Sequence, residues 1–327
     1  MTATRSRKKT VLWTVLLCVV AALLAALVWA ANALVTFAIG RAPIDRNVAP
    51  ESIVSDENSR TISDNWRLLG EQTRAWLDGA QREPAEIRSE DGLTLRGEAV
   101  LTGDAHLWVL AVHGYRGNHT QMLGIASGYG LRGWNVLLPD LRGCGDSEGD
   151  YIGMGWPDRR DMLGWIGWIL QRDPEAQIVL HGISMGGATV MMTAGESLPP
   201  QVKAIVEDCG YTSVWDIFRD ELDALFHLPA FPLLPAASVC SRLRAGYGFT
   251  EASSLRQLEK AQVPVLFIHG SEDNFVHTDM VYRVYDACPT PKQLLVVEGA
   301  GHGTSRALDP ELYDGTVFGF LEPWIEE

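Results

Sequence analysis

The chain has 327 residues, of which 46% are hydrophobic and 21% are charged, and its formal net charge is -14. These values are typical of a globular protein, and the length suits one large α/β domain better than two small ones. So acidic a chain lacks the basic surface that phosphate contacts need, and a nucleic acid is therefore disfavoured as a partner.

The five cysteines are widely spaced and include no Cys-x-x-Cys pair, so neither a zinc site nor a redox motif is indicated. One of them, Cys18, lies in an apolar leader. We expect the other four to be buried and unpaired, with one disulfide involving Cys240 as the alternative outside the cytosol. The sequence implies no metal ion and no cofactor.

The first forty residues have the pattern of a membrane segment. A basic cluster comes first and consists of Arg5, Arg7, Lys8 and Lys9. Residues 11–39 then carry no charge. About 20 apolar residues span a bilayer, and basic residues stay on the cytoplasmic side. We predict a cytoplasmic N-terminus at 1–10, an uncleaved signal-anchor at 11–39, and a catalytic domain outside the cytoplasm. A secreted protein is the alternative, because Ala31-Asn32-Ala33 resembles a cleavage site.

Residues 40–85 are predicted to form a linker and an amphipathic helix. The stretch 41–64 is polar and contains Pro43 and Pro50, which favours a tether. Side chains at helical spacing then predict a helix packed on the main domain: Ile62, Trp66, Leu69, Thr73 and Trp76.

Residues 86–327 are predicted to form one α/β domain. The turn signal Asp91-Gly92 indicates a hairpin between residues 86–89 and 93–101. Apolar strand-like runs then alternate with helical stretches such as 156–171 and 278–287, which predicts a mostly parallel sheet with helices on both faces. The predicted strands are 107–112, 135–139, 177–180, 204–207, 263–268 and 293–297. Functional residues collect at the carboxyl ends of such strands.

One interval, about 212–254, interrupts this alternation. It is rich in large apolar residues and has no clear strand. Long insertions of this kind are often lids over a site, and an ordinary helical excursion is the alternative. Pro229, Pro232 and Pro235 argue against one continuous helix there.

The strand at 177–180 leads into Gly182-Ile183-Ser184-Met185-Gly186 and then into a helix-like run. A serine at a sharp turn between strand and helix is held with its Oγ exposed above the sheet, and flanking glycines leave room for the turn. The helix N-terminus also favours developing negative charge. The pattern is typical of a nucleophile, with a glycine-rich turn that uses serine as an N-cap as the alternative.

A serine nucleophile needs a base and an orienting acid, and the next two strand ends supply candidates. Asp273 follows the strand at 263–268, and His302 lies in a glycine-flanked loop after 293–297. The chain order Ser184, Asp273, His302 is the order expected for a nucleophile elbow of this kind. Asp208 and Glu272 remain alternative acids, and His277 remains an alternative base. His113, His181 and His269 also end strands, and we expect them to be structural.

The chain resembles the α/β hydrolases from roughly residue 86 to residue 327. Four features carry this resemblance: the elbow around Ser184, His113-Gly114 at an early strand end, the loop 140–147, and the paired Asp273 and His302. It is most similar to serine hydrolases with one N-terminal anchor, whose members are esterases, lipases, thioesterases or peptidases. The expected fold class is therefore an α/β-hydrolase fold with a helical lid insertion, preceded by a transmembrane helix.

The resemblance also implies an oxyanion hole formed by the backbone N–H groups of Met185 and Tyr115. Asp140 and Arg142 are expected to pair within the loop that supports the site. Arg116 is expected to be a solvated loop residue, with attraction of a carboxylate as the alternative.

The expected function is hydrolysis of a small-molecule or lipid-like acyl ester through a Ser-His-Asp triad and an acyl-enzyme. A peptidase of the same fold is one alternative, and acids of the insertion could bind the free amine it requires: Asp216, Asp220, Glu221 and Asp223. A binding protein that retains the fold without catalysis is the other alternative. No HExxH-like spacing indicates a metal hydrolase.

Overall fold

The computed structural model describes residues 2–41, 56–102 and 106–326, and its centre is one sheet of eight strands. The strand order is β1-β2-β4-β3-β5-β6-β7-β8. β2 is antiparallel to both of its neighbours, and every pair from β4 onward is parallel. The strands are β1 Gln81–Arg88, β2 Thr94–Leu101, β3 Leu107–Val112, β4 Asn135–Pro139, β5 Gln177–Ile183, β6 Val202–Asp208, β7 Val265–Gly270 and β8 Lys292–Val297.

Eleven α-helices are found among the described residues, most of them between strands as the alternation predicts. They are α1 Thr2–Ile39, α2 Asp56–Gly79, α3 Leu123–Gly130, α4 Asp158–Arg172, α5 Met185–Thr193, α6 Val214–Phe226, α7 Ala230–Ala245, α8 Ser254–Leu258, α9 Asp279–Ala287, α10 Ser305–Leu308 and α11 Pro310–Leu321.

The first hairpin strand is longer than the sequence pattern indicates. β1 begins at Gln81, pairs with β2 along its whole length, and includes Pro84. It is an edge strand, where a proline can be accommodated because one side of the strand needs no ladder donor. Its polar character therefore hides it from a search for apolar runs.

Successive side chains of each strand point to opposite faces of the sheet, and two apolar cores result. One core contains Leu110 and Leu180 of the sheet and packs against α4, α5 and α9. The other contains Val109 and Val179 and packs against α3 and α11. The sheet is thus covered on both faces, as predicted.

The interval 212–254 forms two helices, α6 and α7, that pack on the first core. Ser213 caps α6 by accepting a hydrogen bond from the N–H of Asp216. α6 ends at Phe226, and α7 is kinked at Phe231 near its start. The prolines therefore separate two helices, as expected, although Pro235 lies inside α7.

Helix α1 divides into two parts that differ in their surroundings. Residues 11–39 are long and apolar enough to cross a membrane. Within residues 11–30 no side chain is buried, whereas Ala31, Val35 and Ile39 are fully buried against the domain. These three share one face of the helix, and α7 is its main partner. The last turns of the expected membrane segment are therefore part of the folded domain.

The stretch 41–64, predicted as a tether, is structured at both of its ends. Arg41 donates hydrogen bonds from its guanidinium to carbonyls of Gly145 and Ser147, so the chain is fixed directly after α1. Helix α2 begins at Asp56, inside the stretch 41–64 that was predicted as tether. Residues 42–55 lie outside the described residues.

Helix α2 packs on the domain through most of the face that its apolar spacing predicts, although Trp66 of that face is 49% exposed. Ile62, Leu69 and Trp76 are buried, and the helix contacts α3 and α10. The side-chain amide of Asn65 donates to the carbonyl of Ala307 at 2.9 Å. This helix therefore packs beside α10, which follows the loop that carries His302.

Candidate active site

Ser184 occupies the turn between β5 and α5 with φ 57° and ψ -118°, a conformation that a residue with a Cβ rarely adopts. Its N–H donates to the carbonyl of Asp208 at 2.8 Å, which fixes the turn to the end of β6. A Cβ at Gly182 would lie 2.1 Å from the carbonyl oxygen of Gly186, so only glycine fits there. The tight turn therefore presents the serine side chain at the carboxyl edge of the sheet.

The structure brings the three sequence-predicted residues together. The Nε2 of His302 lies 2.8 Å from the Oγ of Ser184, and its Nδ1 lies 2.8 Å from an oxygen of Asp273. Because a carboxylate accepts hydrogen bonds only, Nδ1 carries the proton and Nε2 is free to accept the serine hydroxyl. The geometry is that of a nucleophile, a general base and an orienting acid.

Asp273 is held as a carboxylate by three hydrogen-bond donors and by the approach of a second histidine. Its Oδ1 accepts from the backbone N–H groups of Phe275 and Val276, and its Oδ2 faces His302 and His269. Burial alone would raise the pKa of Asp273, but hydrogen bonds from the two histidines lower it to about 2. A charged acid is therefore available to stabilise a cation on His302.

His269 is a partner of Asp273 that the sequence analysis did not assign. It lies four residues before Asp273 and is fully buried, and its Nε2 donates to the carbonyl of Val276 at 2.8 Å. The same nitrogen is 3.2 Å from Asp273. Burial lowers the pKa of His269 and the carboxylate raises it, with a net rise. The only sign of this contact in the sequence is that His269 and Asp273 lie four residues apart at the end of β7.

The alternative acids and base occupy other positions. Asp208 is buried and accepts from the hydroxyl of Tyr313 at 2.9 Å, and burial raises its pKa to about 6. Glu272 is exposed, and so is His277. None of these three is hydrogen-bonded to His302 among the described residues, whereas Asp273 is.

Two other histidines have structural partners, as expected. His113 is fully buried, and its Nε2 accepts from the N–H of Leu141 at 3.0 Å. His181 lies between the hydroxyls of Tyr129 and Tyr313. Both histidine rings are therefore held by structural hydrogen bonds.

The backbone groups expected in the oxyanion hole flank Ser184. Met185 is the first residue of α5, so its N–H belongs to the helix turn that lacks intrahelical acceptors. Gly114 precedes Tyr115, and a Cβ there would lie 3.9 Å from the Oγ of Ser184. The loop of Tyr115 thus passes beside the serine hydroxyl, and we call residues 113–117 the oxyanion loop.

The oxyanion loop is bonded to the end of helix α1. The hydroxyl of Tyr115 donates to the carbonyl of Ala38 at 2.5 Å, and the guanidinium of Arg116 donates to the carbonyl of Phe37. The N–H of Ile152 donates to the carbonyl of Ile39 at 2.7 Å. Carbonyls of a final helical turn have no partner within the helix, and these donors supply them. Arg116 is therefore a capping residue and not the solvated residue that was expected.

Helix α2 supports the loop of His302 in a similar way. Gly299, at the start of that loop, has φ 75°, and a Cβ there would lie 2.4 Å from the amide nitrogen of Asn58. That amide donates to the carbonyl of Gly299 at 3.1 Å. Both N-terminal helices therefore contact a loop of the candidate site.

The expected pair of Asp140 and Arg142 is wrong. Asp140 accepts from the N–H and the ring of His119 and from the N–H of Asp146, while Arg142 is bonded to Asp161 and Asp91. A carboxylate that accepts several backbone N–H groups holds a loop together without an arginine. Both residues still stabilise the loop 140–147, each through another part of the chain.

One group of possible metal ligands occurs among the described residues. Cys209, Asp273 and His302 offer atoms that all lie within 4.8 Å of one another. Burial raises the pKa of the Cys209 thiol, and a metal requires the thiolate. Asp273 and His302 are already hydrogen-bonded to each other, so these three residues are better suited to proton transfer by His302 than to binding a metal ion. All five cysteines are unpaired, and Cys144, Cys209 and Cys288 are buried.

Glu207 next to the site gives a pH dependence of stability. It is fully buried, accepts from the N–H of Gly210, and burial raises its pKa to about 8. Between about pH 4.5 and pH 8 the folded state retains a proton that the unfolded state releases, so stability falls as the pH rises.

We expect Glu207→Gln to reduce that loss. The thermal unfolding midpoint of the full chain, followed by tryptophan fluorescence at pH 5 and pH 8, should drop less in the variant than in the wild type. The exposed Glu259, changed to glutamine, is the control and should keep the wild-type drop. Equal drops in both variants would contradict the assignment to Glu207.

An apolar cleft lies between helix α1 and the two helices of the insertion. Its empty volume, open side included, is about 410 Å³. α1 contributes Leu34, Phe37 and Ala38, and α6 and α7 supply most of the opposite wall. Glu221 is the one charged residue among those that line it.

Comparisons with known proteins agree with this architecture. A family model described as the alpha/beta hydrolase fold matches residues 108–231. The uncharacterized protein YqkD of Bacillus subtilis is 29% identical over 237 residues, which cover 72% of this chain and 78% of that protein. An esterase of Pyrococcus furiosus superposes with a TM-score of 0.62 at 22% identity, over 76% of this chain and 92% of its own. An acylaminoacyl peptidase of Pyrococcus horikoshii superposes with a TM-score of 0.59 at 18% identity, over 80% of this chain and 44% of its own.

The chain has the α/β hydrolase fold, with an eight-stranded, mostly parallel sheet and one apolar N-terminal helix that is a candidate membrane span. The predicted fold class is therefore confirmed.

Proposed function

We propose that the protein is a serine hydrolase that cleaves carboxylic acyl esters. The observation that carries the proposal is the continuous chain of hydrogen bonds from the Oγ of Ser184 through the ring of His302 to Asp273. The distances from Nε2 to Oγ and from Nδ1 to Oδ2 are both 2.8 Å. A structural histidine has no need of a free Nε2 directed at a serine that sits in strained backbone geometry.

In the proposed reaction, the Oγ of Ser184 attacks the acyl carbon while the Nε2 of His302 takes the hydroxyl proton. The tetrahedral intermediate expels the alcohol, which receives that proton from His302, and an acyl-serine remains. Water then attacks the acyl-serine as His302 takes a proton from it, and the second tetrahedral intermediate expels the Oγ of Ser184, which receives that proton from His302 while the acid is released. Asp273 holds the ring in position and stabilises the imidazolium.

The backbone N–H groups of Met185 and Tyr115 are proposed to bind the oxyanion of both tetrahedral intermediates. A donor of this kind is worth roughly 2.7–4 kcal/mol of transition-state stabilisation. The position of Gly114 against the serine, with no side chain between, supports this role.

We also propose that α1 is retained as a membrane anchor, with the catalytic domain outside the cytoplasm. The basic residues before residue 11 favour a cytoplasmic N-terminus. Retention is supported by the buried Ala31, Val35 and Ile39 and by the guanidinium of Arg244, which donates to Asn32 at 2.6 Å. These contacts lie within the stretch that resembles a cleavage site and directly after it.

A peptidase is the second candidate, and one observation favours it. The carboxyl of Glu221 is half-buried in the apolar cleft, where it could bind a free amine. The other acids considered for this role do not line the cleft among the described residues. Apart from this one group the lining is apolar, which fits an acyl chain better than a peptide.

The test compares two substrate classes on the full chain in detergent. We expect hydrolysis of p-nitrophenyl butyrate, with kcat/KM at least about 100-fold above that for aminoacyl p-nitroanilides. The same protein after treatment with a fluorophosphonate is the control and should be inactive. A preference for the anilides would favour the peptidase, and inactivity on both classes would favour a binding protein.

A further inference from the structure

One wall of the apolar cleft is hydrogen-bonded to a loop of the candidate active site. The carbonyl of Ala38, which belongs to the cleft wall, accepts the hydroxyl of Tyr115 in the oxyanion loop. Tyr115 directly follows Gly114, where a Cβ would lie 3.9 Å from the Oγ of Ser184. A chain that occupies the cleft would therefore end near Ser184.

The wall formed by α1 continues into the membrane segment. None of residues 11–30 is buried, and about 20 helical residues extend about 30 Å, which is the thickness of the bilayer hydrocarbon. The helix meets the domain at Ala31, one turn before Leu34 of the cleft. With residues 11–30 in the bilayer, the cleft lies within roughly 5 Å of the end of the membrane span, measured along the helix.

Apolar side chains of the insertion are also exposed around the cleft. Leu225 and Phe226 line it and are 57% and 43% exposed, and Phe37 of α1 lies edge-on to Phe226 with ring centroids 5.7 Å apart. Leu228 and Phe231 follow in the chain and are exposed as well. In water such a cluster is unfavourable, whereas contact with lipid would cover it.

We propose that the cleft binds the acyl chain of a long-chain ester that enters from the bilayer holding α1, so that the anchor helix forms one wall of the substrate site. This inference rests on the proposed function, since it requires acyl transfer to Ser184. The substrate class is an ester with a long apolar chain that resides in the membrane, as lipid esters do.

The first test narrows the cleft from the side of the anchor. We expect Leu34→Trp in the full chain to lower the ratio of kcat/KM for p-nitrophenyl laurate to that for p-nitrophenyl acetate at least tenfold. A larger side chain removes room for a long chain and affects a two-carbon acyl group much less. Leu24→Trp is the matched control, because Leu24 lies on the same helix and is exposed outside the cleft, and it should keep the wild-type ratio.

The second variant narrows the cleft from the side of the insertion and leaves the buried contact between α1 and α7 unchanged. Leu225→Trp changes an exposed residue of the cleft, and its control is Leu243→Trp, since Leu243 is 82% exposed on α7 and does not line the cleft. Labelling of Ser184 by a fluorophosphonate shows that each variant is folded. Unchanged ratios in labelled cleft variants would overturn the inference, whereas a wild type that is neither labelled nor active would overturn the proposed function instead.

The third test concerns the route of entry. The full chain is reconstituted in phosphatidylcholine vesicles, with p-nitrophenyl palmitate either in the same vesicles or in separate vesicles without protein. We expect initial hydrolysis at least tenfold faster when ester and protein share a bilayer. Equal initial rates in the two arrangements would contradict entry from the membrane.

Discussion

Ser184→Ala is expected to abolish covalent labelling by a fluorophosphonate and to lower kcat on p-nitrophenyl esters by a factor on the order of 10⁶. Alanine removes the nucleophile but leaves the turn, because its methyl group fits where the serine Cβ lies. The measurement is in-gel fluorescence of the labelled full chain, together with turnover of p-nitrophenyl butyrate.

A matched control is Ser254→Ala. Ser254 is buried in α8, and its hydroxyl has no hydrogen-bond partner among the described residues. This variant should be labelled and active like the wild type, which excludes a general effect of removing a serine. Undiminished labelling of Ser184→Ala would assign the nucleophile to another residue.

Asp273→Asn is expected to lower kcat by about 10⁴ with little change in KM. The amide has no negative charge, so an imidazolium on His302 is no longer stabilised, and the amide can donate to Nδ1 and hold the ring in the wrong tautomer. Asp208→Asn should change kcat less than tenfold, because Asp208 is bonded to the hydroxyl of Tyr313 and not to His302.

The two asparagine variants form a comparison of buried acids at neighbouring strand ends. Both remove one carboxylate near the same serine, so a loss of stability common to both shows in their unfolding midpoints. A larger kinetic loss in Asp208→Asn than in Asp273→Asn would reassign the acid. The pH dependence of kcat for Asp273→Asn should also differ from that of the wild type, since His302 loses its charged partner.

The parts of this protein that sequence alone predicts are those governed by local rules. A buried parallel strand is a short apolar run, and its end is marked by a change to glycine and polar residues, as at Ser184 and at Asp273. Because the carboxyl ends of parallel strands meet at one edge, the convergence of Ser184, Asp273 and His302 follows from the strand order. Their geometry agrees with the prediction, and their catalytic roles stay a proposal.

The features that sequence alone does not predict depend on partners far along the chain. Asp140 faces His119 and Arg142 faces Asp161, and each choice depends on loop paths that composition does not reveal. His269 contacts Asp273 only because the chain turns sharply after β7. Polar contacts of this kind are decided by tertiary structure and leave no periodic signal.

Helix α1 shows a second kind of limit. Every residue from 11 to 39 is uncharged and most are apolar, so hydrophobic periodicity does not distinguish a face that touches lipid from one that touches protein. The structure resolves this by burial: a stripe at spacing four begins at Ala31 and has no counterpart in residues 11–30. The sequence therefore predicts a membrane segment and does not predict that its end packs into the folded α/β domain.

If α1 is the proposed membrane anchor, the hydrogen bonds from Tyr115 and Arg116 to its last carbonyls imply that proteolytic release of the protein would also impair the proposed catalysis. A cut after Ala33 would leave about six residues of that helix, far fewer than the roughly 12 that an isolated helix needs to persist. Such a stub would keep only the packing of Val35 and Ile39 against the domain, so the carbonyls that accept from the loop beside Ser184 would be held less firmly. For the proposed anchored hydrolase, we therefore expect a form released by proteolysis to be a poorer catalyst than the anchored chain.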